Sequence, residues 1–393
     1  MRPVDNPPPR HLPRGVVVLG LVSLCMDASS ELVHSILPVF LVTVLGASVA
    51  TVGLLEGIAE ATAAITKVFS GALSDRWRRR KSLVLAGYGL AALSKPLFPL
   101  ADSVTWVFTA RFLDRVGKGI RGAPRDALIA DLVPPGQRNA AYGLRQSLDS
   151  VGAFLGPLVA IGLLLLWQND LRAVLWVAVV PAFLALVLLL FGVEENRPAA
   201  PVARARTLAL TGLGSLGRRY WLVLGLGSVI TLARFSEAFL VLRGQQLGLP
   251  MAWVPAVMLV MSLVYAASAY PAGLATRYWS RRTLLATGLL VLIGADLVLA
   301  TADGVVLVLA GAALWGLHMG LTQGLLAALV ADAVPPERTG TAFGLFHLAT
   351  GVFLLLASAV AGMVWDRYGA PATFLTGAAF SAVAVAGLLL TRR

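Results

Sequence analysis

Hydrophobic runs of about twenty residues recur along the whole chain, with short polar stretches between them. A helix of that length crosses the ~30 Å hydrocarbon layer of a bilayer, and it satisfies its own backbone hydrogen bonds there. The pattern therefore predicts an all-α polytopic membrane protein with twelve transmembrane helices. The predicted spans are 15–43, 51–73, 82–101, 104–124, 140–167, 171–193, 220–242, 252–275, 283–301, 304–330, 341–365 and 371–390.

The longest polar segment, 194–219, is rich in Pro, Ala and Arg and divides the spans into two sets of six. It predicts a cytoplasmic linker between an N-terminal six-helix bundle, residues 1–193, and a C-terminal six-helix bundle, residues 220–393. The remaining loops are too short to hold a soluble domain. We therefore expect the helices themselves to carry the function.

An internal repeat relates the two sets of spans. Ala130-Asp131 recurs as Ala331-Asp332, and Pro134-Pro135 recurs as Pro335-Pro336, both shifted by 201 positions. Because six spans separate the two copies, the bundles have the same orientation in the membrane. Parallel repeats of this kind are typical of transporters whose substrate site lies between the halves.

Composition supports a membrane protein and explains the charge. The chain is 58% hydrophobic, its mean hydropathy is +0.81, and its net charge is +12. Most of the Lys and Arg residues follow even-numbered spans or lie at the termini, so the positive-inside rule places both termini in the cytoplasm of a bacterial-type inner membrane. The charge therefore indicates topology and does not indicate a nucleic-acid partner. The single cysteine, Cys25, excludes an internal disulfide.

The fourth span carries an unusual density of charge for a membrane helix, concentrated on one face. Lipid does not tolerate such a face, so it must contact protein or a water-filled cavity. The charged residues are Arg111, Asp114, Arg115, Lys118, Arg121, Arg125 and Asp126. In the second copy most of this charge is absent, because Lys118 corresponds to Met319 and Arg121 to Thr322.

Acidic residues face inward from the first and second spans. Asp27, Glu31 and His34 share one helix face. A carboxylate there can bind and release a proton during transport, or it can form a fixed ion pair with Arg111 or Arg115. Both interpretations stay open. In the second span, Glu56 and Glu60 share a face with Lys67. Glu56 is expected at a solvated outer rim, Glu60 is a cavity candidate, and Lys95 in the third span is not assigned a role.

The basic excess of the fourth span has two explanations. Arginine and lysine can bind an anionic substrate, or they can balance Asp27, Glu31, Glu60 and Asp149. Asp114 and Lys118 are one turn apart, which favours some pairing within the helix. Arg125, Asp126 and Asp131 are expected to contact the loop that follows the second span.

The second half has fewer ionisable residues in its spans. Arg234 and Glu237 are one turn apart in the seventh span, and an intrahelical pair is the simplest interpretation, although both are cavity candidates. His318 is isolated and is a candidate for the cavity or for hydrogen-bonded packing. Asp27, Glu31 and His34 are a conceivable metal trio, but the absence of sulfur ligands or a second histidine argues against a metal site or cofactor.

Three motifs resemble the major facilitator superfamily. The loop after the second span follows the family pattern Gly-x-x-x-Asp-Arg/Lys-x-Gly-Arg-Arg/Lys, except that Arg78 replaces the second glycine. The matching residues are Gly71, Asp75, Arg76, Arg79 and Arg80. The fourth span resembles the motif of proton-driven members at Arg111, Gly117 and Gly119. The fifth span resembles the antiporter motif at Gly143, Gly152, Gly156 and Pro157, with Ala160 and Ile161 in place of its final glycines.

The resemblance implies the fold and the class of function. It implies two parallel six-helix bundles and a loop at Asp75 and Arg76 that gates access. The ionisable residues buried in the spans add the expectation of proton coupling or ion pairing at Asp27, Glu31, Arg111, Asp114 and Arg115. The expected function is proton-coupled efflux of a small molecule by a monomer in contact with membrane lipid. Uptake of an organic anion or a metal ion is the alternative. A polytopic membrane enzyme is a remote one, because the sequence shows no clustered catalytic motif.

Overall fold

The computed structural model describes residues 12–77, 79–194, 216–335 and 338–390, and within these ranges it contains helices and no strand. The first six spans comprise α1 (Arg14–Val39), α2 (Val49–Trp77), α3 (Arg80–Ser94), α4 (Val104–Leu132), α5 (Arg138–Leu166), and α6 (Leu171–Val177) with α7 (Val179–Gly192). The last six comprise α8 (Gly217–Ala233) with α9 (Ala238–Gln246), α10 (Ala256–Ala275), α11 (Arg281–Thr301), α12 (Val305–Asp332), α13 (Thr339–Tyr368) and α14 (Ala370–Leu390). The all-α polytopic fold predicted from the hydrophobic pattern is confirmed.

Length and apolar composition allow ten helical segments of the described ranges to cross a membrane. The other two predicted spans do not meet this criterion of length and apolar composition, for different reasons. Helix α3 has only 15 residues and continues as a 3₁₀ turn, Lys95–Leu97. Helix α4 is long enough at 29 residues but carries the charged face. Both pack against each other inside the N-terminal half, where protein replaces lipid around their polar groups.

The seventh span is broken, which the sequence pattern did not predict. Residues 234–237 separate α8 from α9. Side-chain oxygens satisfy backbone groups that the helix would otherwise bond, because the Ser236 amide donates to Ser358 Oγ at 3.1 Å and the Ala238 amide donates to Ser236 Oγ at 3.2 Å. Non-helical backbone at this depth requires such partners or a water-filled cavity.

The internal repeat is visible in the side-chain contacts. Arg80 forms an ion pair with Asp131, and Arg281 forms the equivalent pair with Asp332, so both partners are shifted by 201 positions. Two glycine contacts repeat in the same way. A Cβ on Gly87 would lie 2.7 Å from the Gly117 carbonyl oxygen, and a Cβ on the equivalent Gly288 would lie 3.8 Å from the carbonyl oxygen of the equivalent His318. The two halves therefore repeat the same crossing of their third and fourth spans.

Buried apolar residues distinguish the two ends of the molecule. We call the end that carries Arg76, Arg79, Arg80, Arg138, Arg218 and Arg281 the arginine-rich end. At the opposite end, one continuous core includes Phe40 and Val52 from the first half and Phe239, Val254 and Phe374 from the second. At the arginine-rich end the cores are separate, one in the first half and two in the second. The halves therefore pack together at one end only.

Helices α2 and α13 form the tightest contact between the halves. A Cβ on Gly53 would lie 2.3 Å from the Ser358 carbonyl oxygen, and one on Gly362 would lie 2.6 Å from Ala50 Cα. Glycine at these positions allows the two backbones to touch. The Asp366 carboxylate on α13 accepts hydrogen bonds from the amides of Val49 at 3.1 Å and Ala50 at 3.0 Å, which begin α2. This contact closes the opposite end.

The division into an N-terminal bundle, a linker and a C-terminal bundle stays a prediction. Most of the predicted linker, 194–219, lies outside the described residues.

Candidate functional site

A cavity of about 740 Å³ lies between the two halves at mid-depth and extends toward the arginine-rich end. Helices α1, α2, α4 and α5 line one side. The broken segment 234–237, α10, α12 and α13 line the other. The separate cores at the arginine-rich end leave this side of the cavity accessible, whereas the shared core seals the opposite side.

The two walls of the cavity differ in chemistry. The wall from the first half is dominated by ionisable side chains, namely Asp27, Glu31, His34, Glu60, Lys67, Arg115, Lys118, Arg121, Arg125, Asp126 and Asp149. The wall from the second half has fewer ionisable side chains and contributes a set of methionine and aromatic residues, namely Phe235, Met258, Met261, Tyr265, Met319, Phe343 and Phe346. Lys118 and its repeat equivalent Met319 both line the cavity, so the repeat has diverged where it faces the interior.

Two glycines of α5 position the carboxylates of α1. A Cβ on Gly152 would lie 2.5 Å from the Leu24 carbonyl oxygen and 3.1 Å from Asp27 Cβ. A Cβ on Gly156 would lie 2.6 Å from the Leu32 amide nitrogen and 2.9 Å from Glu31 Cβ. Because these two positions of α5 carry no side chain, α1 approaches closely, and both the Asp27 and Glu31 carboxylates reach the cavity.

The other residues of the antiporter-like motif differ from these two. Gly143 has nothing within 4 Å of a built Cβ, so close packing does not require glycine there. Pro157 is buried within α5 directly after Gly156. The physical role of the motif in this chain is therefore concentrated in Gly152 and Gly156.

Asp27 and Glu31 do not pair with the arginines that the sequence suggested. Within the described ranges, Asp27 has no ion pair, and Glu31 lies 3.6 Å from His34 Nδ1. Arg111 instead donates to Glu56 at 2.7 Å, and both side chains are 1% exposed. The expectation that Glu56 lies at a solvated rim was wrong, because α2 turns this position toward α4, where Arg111 neutralises it.

A second buried pair joins α3 to α4. Lys95 Nζ donates to Asp114 at 2.9 Å and to Ser30 Oγ at 3.1 Å. Asp114 also lies 3.8 Å from Arg115 Nε. The expected pair of Asp114 with Lys118 was therefore wrong, because Lys95, to which the sequence analysis gave no role, reaches Asp114 across the helix contact. Spacing along a single helix could not predict this pair, because its two partners lie on different helices.

Glu60 pairs with Arg115 at 3.1 Å, at the edge of the cavity. The charges of α4 thus divide into two groups. Arg111, Asp114 and Arg115 are buried and balanced by Glu56, Lys95 and Glu60. The residues nearer the arginine-rich end face the cavity.

The cavity-facing group contains cations without acidic partners. Lys67 and Lys118 are exposed to the cavity, and the described residues place no carboxylate within ion-pair distance of either. Arg121 stacks its guanidinium over the Tyr88 ring at 4.7 Å. Arg125 donates to Ser23 Oγ at 2.9 Å and lies 3.5 Å from Asp126.

The gating-loop predictions have mixed outcomes. Arg80 contacts Asp131 and donates to the Ala127 carbonyl at 2.7 Å, which joins the loop to α4 as expected. Arg125 points inward to Ser23 and does not join this contact, so that part of the expectation was wrong. Arg76 and Arg79 are exposed, and the Asp75 side chain lies outside the described set. A Cβ on Gly71 would meet Ala123 at 3.4 Å, an ordinary contact, so close helix approach does not explain this glycine.

Asp149 has its ion pair within α5 and not with an arginine of α4. It pairs with Arg145 at 2.6 Å, one turn earlier on α5. Arg145 also lies 3.8 Å from Asp126. These contacts form a small acidic and basic cluster where the cavity approaches the arginine-rich end.

The intrahelical pair expected for Arg234 and Glu237 was wrong. The chain leaves the helix between them, and the described ion pairs do not include this one. Both side chains line the cavity from the break. They are the charged residues that the second half contributes to this site.

His318 does not belong to the cavity. Its side chain is fully buried, and Nδ1 lies 2.8 Å from the Gly288 carbonyl oxygen. The packing interpretation is therefore the one that the structure supports, and the substrate-cavity assignment of His318 was wrong. A periodicity argument could not separate the two, because the helix α12 is apolar on every side.

Membrane helices in two repeated halves around a charged cavity define a polytopic membrane transporter. A sequence profile described as the Major Facilitator Superfamily matches residues 19–349 and 238–393. The chain belongs to the major facilitator superfamily, and it is a transporter of that family and not an enzyme.

Relatives support this membership over the whole chain. An uncharacterised MFS-type transporter of Methanocaldococcus jannaschii is 30% identical over 392 residues, which cover 98% of this chain and 96% of that protein. An uncharacterised protein of Mycobacterium tuberculosis is 30% identical over 361 residues, covering 90% and 87%. The multidrug resistance protein MdtH of Yersinia enterocolitica is 30% identical over 171 residues, covering 44% and 42%.

Solved structures show the same fold. The nucleoside transporter NupG superposes with a TM-score of 0.80 at 14% identity, covering 96% of this chain and 100% of NupG. The human organic anion transporter MFSD10 superposes with a TM-score of 0.65 at 20% identity, covering 98% and 100%.

Proposed function

We propose that the protein is a proton-coupled secondary active transporter that exports a small molecule by antiport and alternating access. The observation that carries the proposal is a central cavity, closed at one end, in which Asp27, a carboxylate without an ion pair in the described part of the chain, faces cationic side chains. Transporters of this class bind substrate near the midplane between their repeats, and the halves rock around that site.

The proposed orientation places the arginine-rich end in the cytoplasm of an inner membrane. The positive-inside rule concerns short loops and tails, and arginines are concentrated in those of this end. Both termini then lie in the cytoplasm. With that orientation the cavity is open to the cytoplasm, and the α2–α13 contact closes the outer side.

The proposed coupling residues are Asp27 and Glu31. Asp27 lies in the cavity among Arg121, Arg125 and Lys118 and close to Asp149, so its charge influences the whole cationic surface. A proton on Asp27 would leave those cations free to hold an anionic group or would favour the release of a cationic one. The contact of Gly152 and Gly156 with α1, which we call the Gly152–Gly156 contact, holds α1 in place while the proton binds and leaves.

Export is favoured by two independent similarities. The fifth span resembles the antiporter motif, and its two packed glycines are the ones that hold α1. Part of the chain is similar to a protein named for multidrug resistance. The methionine and aromatic wall also suits an apolar body of variable shape, because methionine side chains adapt to different surfaces.

Uptake of an organic anion is the second candidate, and one observation favours it. Lys67, Lys118 and Arg234 face the cavity without ion-pair partners in the described part of the chain. Arginine and lysine bind carboxylate and phosphate well. Metal-ion uptake has no comparable support, because the described residues contain no group of three or more metal-ligating side chains.

The decisive experiment measures flux in proteoliposomes with an imposed pH gradient, after a thermal-shift screen of drugs, organic acids and divalent metals has identified a ligand. We expect Asp27→Asn or Glu31→Gln to abolish gradient-driven accumulation and to preserve downhill exchange. Asp303→Asn, in an exposed loop, is the matched control and should transport normally. Unchanged accumulation in both cavity variants would refute the proposed coupling.

A further inference from the structure

Asp296 on α11 is a carboxylate in the apolar interior of the second half. Its side chain is 0% exposed. Neither carboxylate oxygen has a hydrogen-bond partner among the described residues. A Cβ on Gly377 of α14 would lie 2.8 Å from Asp296 Oδ2, so the glycine leaves space beside this oxygen without filling it.

Aromatic rings separate Asp296 from the cavity. Phe235 lines the cavity, and its Cε1 would lie 2.9 Å from the same Cβ on Gly377, next to the carboxylate. The Phe235 ring centroid lies 5.3 Å from that of Trp315 and 5.7 Å from that of Phe374. Phe235 belongs to the break between α8 and α9, where the backbone leaves the helix.

The groups that face Asp296 provide no counter-ion. The described residues place no Lys or Arg within ion-pair distance of it. On α12, the Trp315 ring packs against Phe235 and its buried Nε1 has no partner among the described residues, and His318 on the same helix lies against Gly288. Helix α14 contributes Gly377; Ser381, one turn later on that helix, has a buried hydroxyl without a partner among the described residues. Arg234 and Glu237 line the cavity on either side of Phe235.

An ionised carboxylate in such surroundings is far more costly than a neutral one. A bound metal ion does not fit, because hard cations require about six oxygen ligands and these surroundings offer far fewer. A proton neutralises the group without any further ligand. We infer that Asp296 is a proton-binding site of the second half, and that Phe235 controls its access from the cavity.

This site is distinct from the one proposed on α1. Its proton can exchange only when the Phe235 ring moves, and that movement requires the break in the seventh span to change conformation. Proton exchange at Asp296 is thereby tied to a rearrangement of the second half. The assignment of transport coupling to this site rests on the proposed function, whereas the bound proton and its access do not.

A hydrophobic carbodiimide tests the site directly, because it modifies protonated carboxyl groups in apolar surroundings. The purified full-length protein is treated, and peptide mass spectrometry quantifies the modification of Asp296 and of the exposed Asp303. We expect slow modification of Asp296 and none of Asp303. Phe235→Ala should accelerate the modification of Asp296 several-fold, whereas Phe343→Ala, a cavity-lining aromatic whose ring stacks on His347 and not on Phe235, should not.

Infrared spectroscopy provides a second measurement on the same protein. The protonated carboxyl stretch of the wild type should lose intensity in Asp296→Asn at neutral pH. Equal spectra, or modification of Asp296 that is absent or unaffected by Phe235→Ala, would overturn the inference. If Asp27→Asn leaves coupling intact while Asp296 still behaves as a protonated group, the proposed coupling at α1 fails and the site at Asp296 stands.

Discussion

Gly156→Ala is the substitution whose effect the structure specifies most closely. The added Cβ would lie 2.6 Å from the Leu32 amide nitrogen and 2.8 Å from the Ala28 carbonyl oxygen, and both are backbone atoms of α1. Ordinary contact begins at 3.4 Å, so α1 and α5 must separate by about 0.8 Å, the difference between 3.4 and 2.6 Å. A rotamer change cannot relieve this contact.

Two opposing effects set the size of the change. Alanine stabilises a helix interior by about 0.8–1 kcal/mol relative to glycine. Overpacking of a tight contact costs about 1–3 kcal/mol. Gly162→Ala on the same helix provides the matched control, because nothing lies within 4 Å of its built Cβ. Gly162→Ala should gain only the higher helix propensity of alanine, without an overpacking cost. Gly156→Ala should therefore be less stable than Gly162→Ala by about 1–3 kcal/mol.

The assay compares thermal unfolding of the two purified variants and their flux in proteoliposomes. Gly156→Ala should unfold at a lower temperature and transport more slowly, since Glu31 lies beside the displaced contact. Gly162→Ala should match or exceed the wild type in both measurements. Equal stability and equal flux in the two variants would refute the proposed role of the Gly152–Gly156 contact.

The remaining predictions concern three other contacts. Glu56→Gln and Arg111→Met should each reduce the free energy of unfolding by about 3–5 kcal/mol, and the double variant should lose less than the sum; additive losses in thermal unfolding would mean that the pair is not coupled. Asp366→Asn should weaken closure at the opposite end and increase labelling of a cavity cysteine from that side, and unchanged labelling would contradict the closing role. Lys118→Gln should leave the unfolding temperature unchanged because Lys118 has no ion-pair partner in the described ranges, yet it should weaken binding of a carboxylate or phosphate ligand in a titration; equal affinity would exclude an anion contact there.

The sequence was sufficient for the fold because the spans, the repeat and the arginine distribution are one-dimensional patterns. The length of each hydrophobic run predicts a helix that crosses the membrane, and the repeat shifted by 201 positions predicts two halves with the same orientation. The same patterns missed the break at 234–237. That break depends on the Ser358 hydroxyl from a distant span, and no local signal includes it.

Charge pairing was harder to predict, for a physical reason. The partners of Arg111 and Asp114 come from other helices, Glu56 from α2 and Lys95 from α3. Spacing along one helix identifies which residues share a face but does not identify the helix that this face meets. Once the helices are placed, the buried charges of α4, which pair with Glu56, Lys95 and Glu60, separate from the cavity-facing ones.

The central claim is that the α2–α13 contact must open for transport to proceed. A disulfide between Val49→Cys and Asp366→Cys, in a Cys25→Ala background, tests it most directly, because the Asp366 side chain reaches the Val49 amide at 3.1 Å in the closed state. Flux in proteoliposomes should stop under oxidation and return on reduction, and a single variant at either position should be insensitive to the oxidant. Full transport through the cross-linked protein would contradict the account.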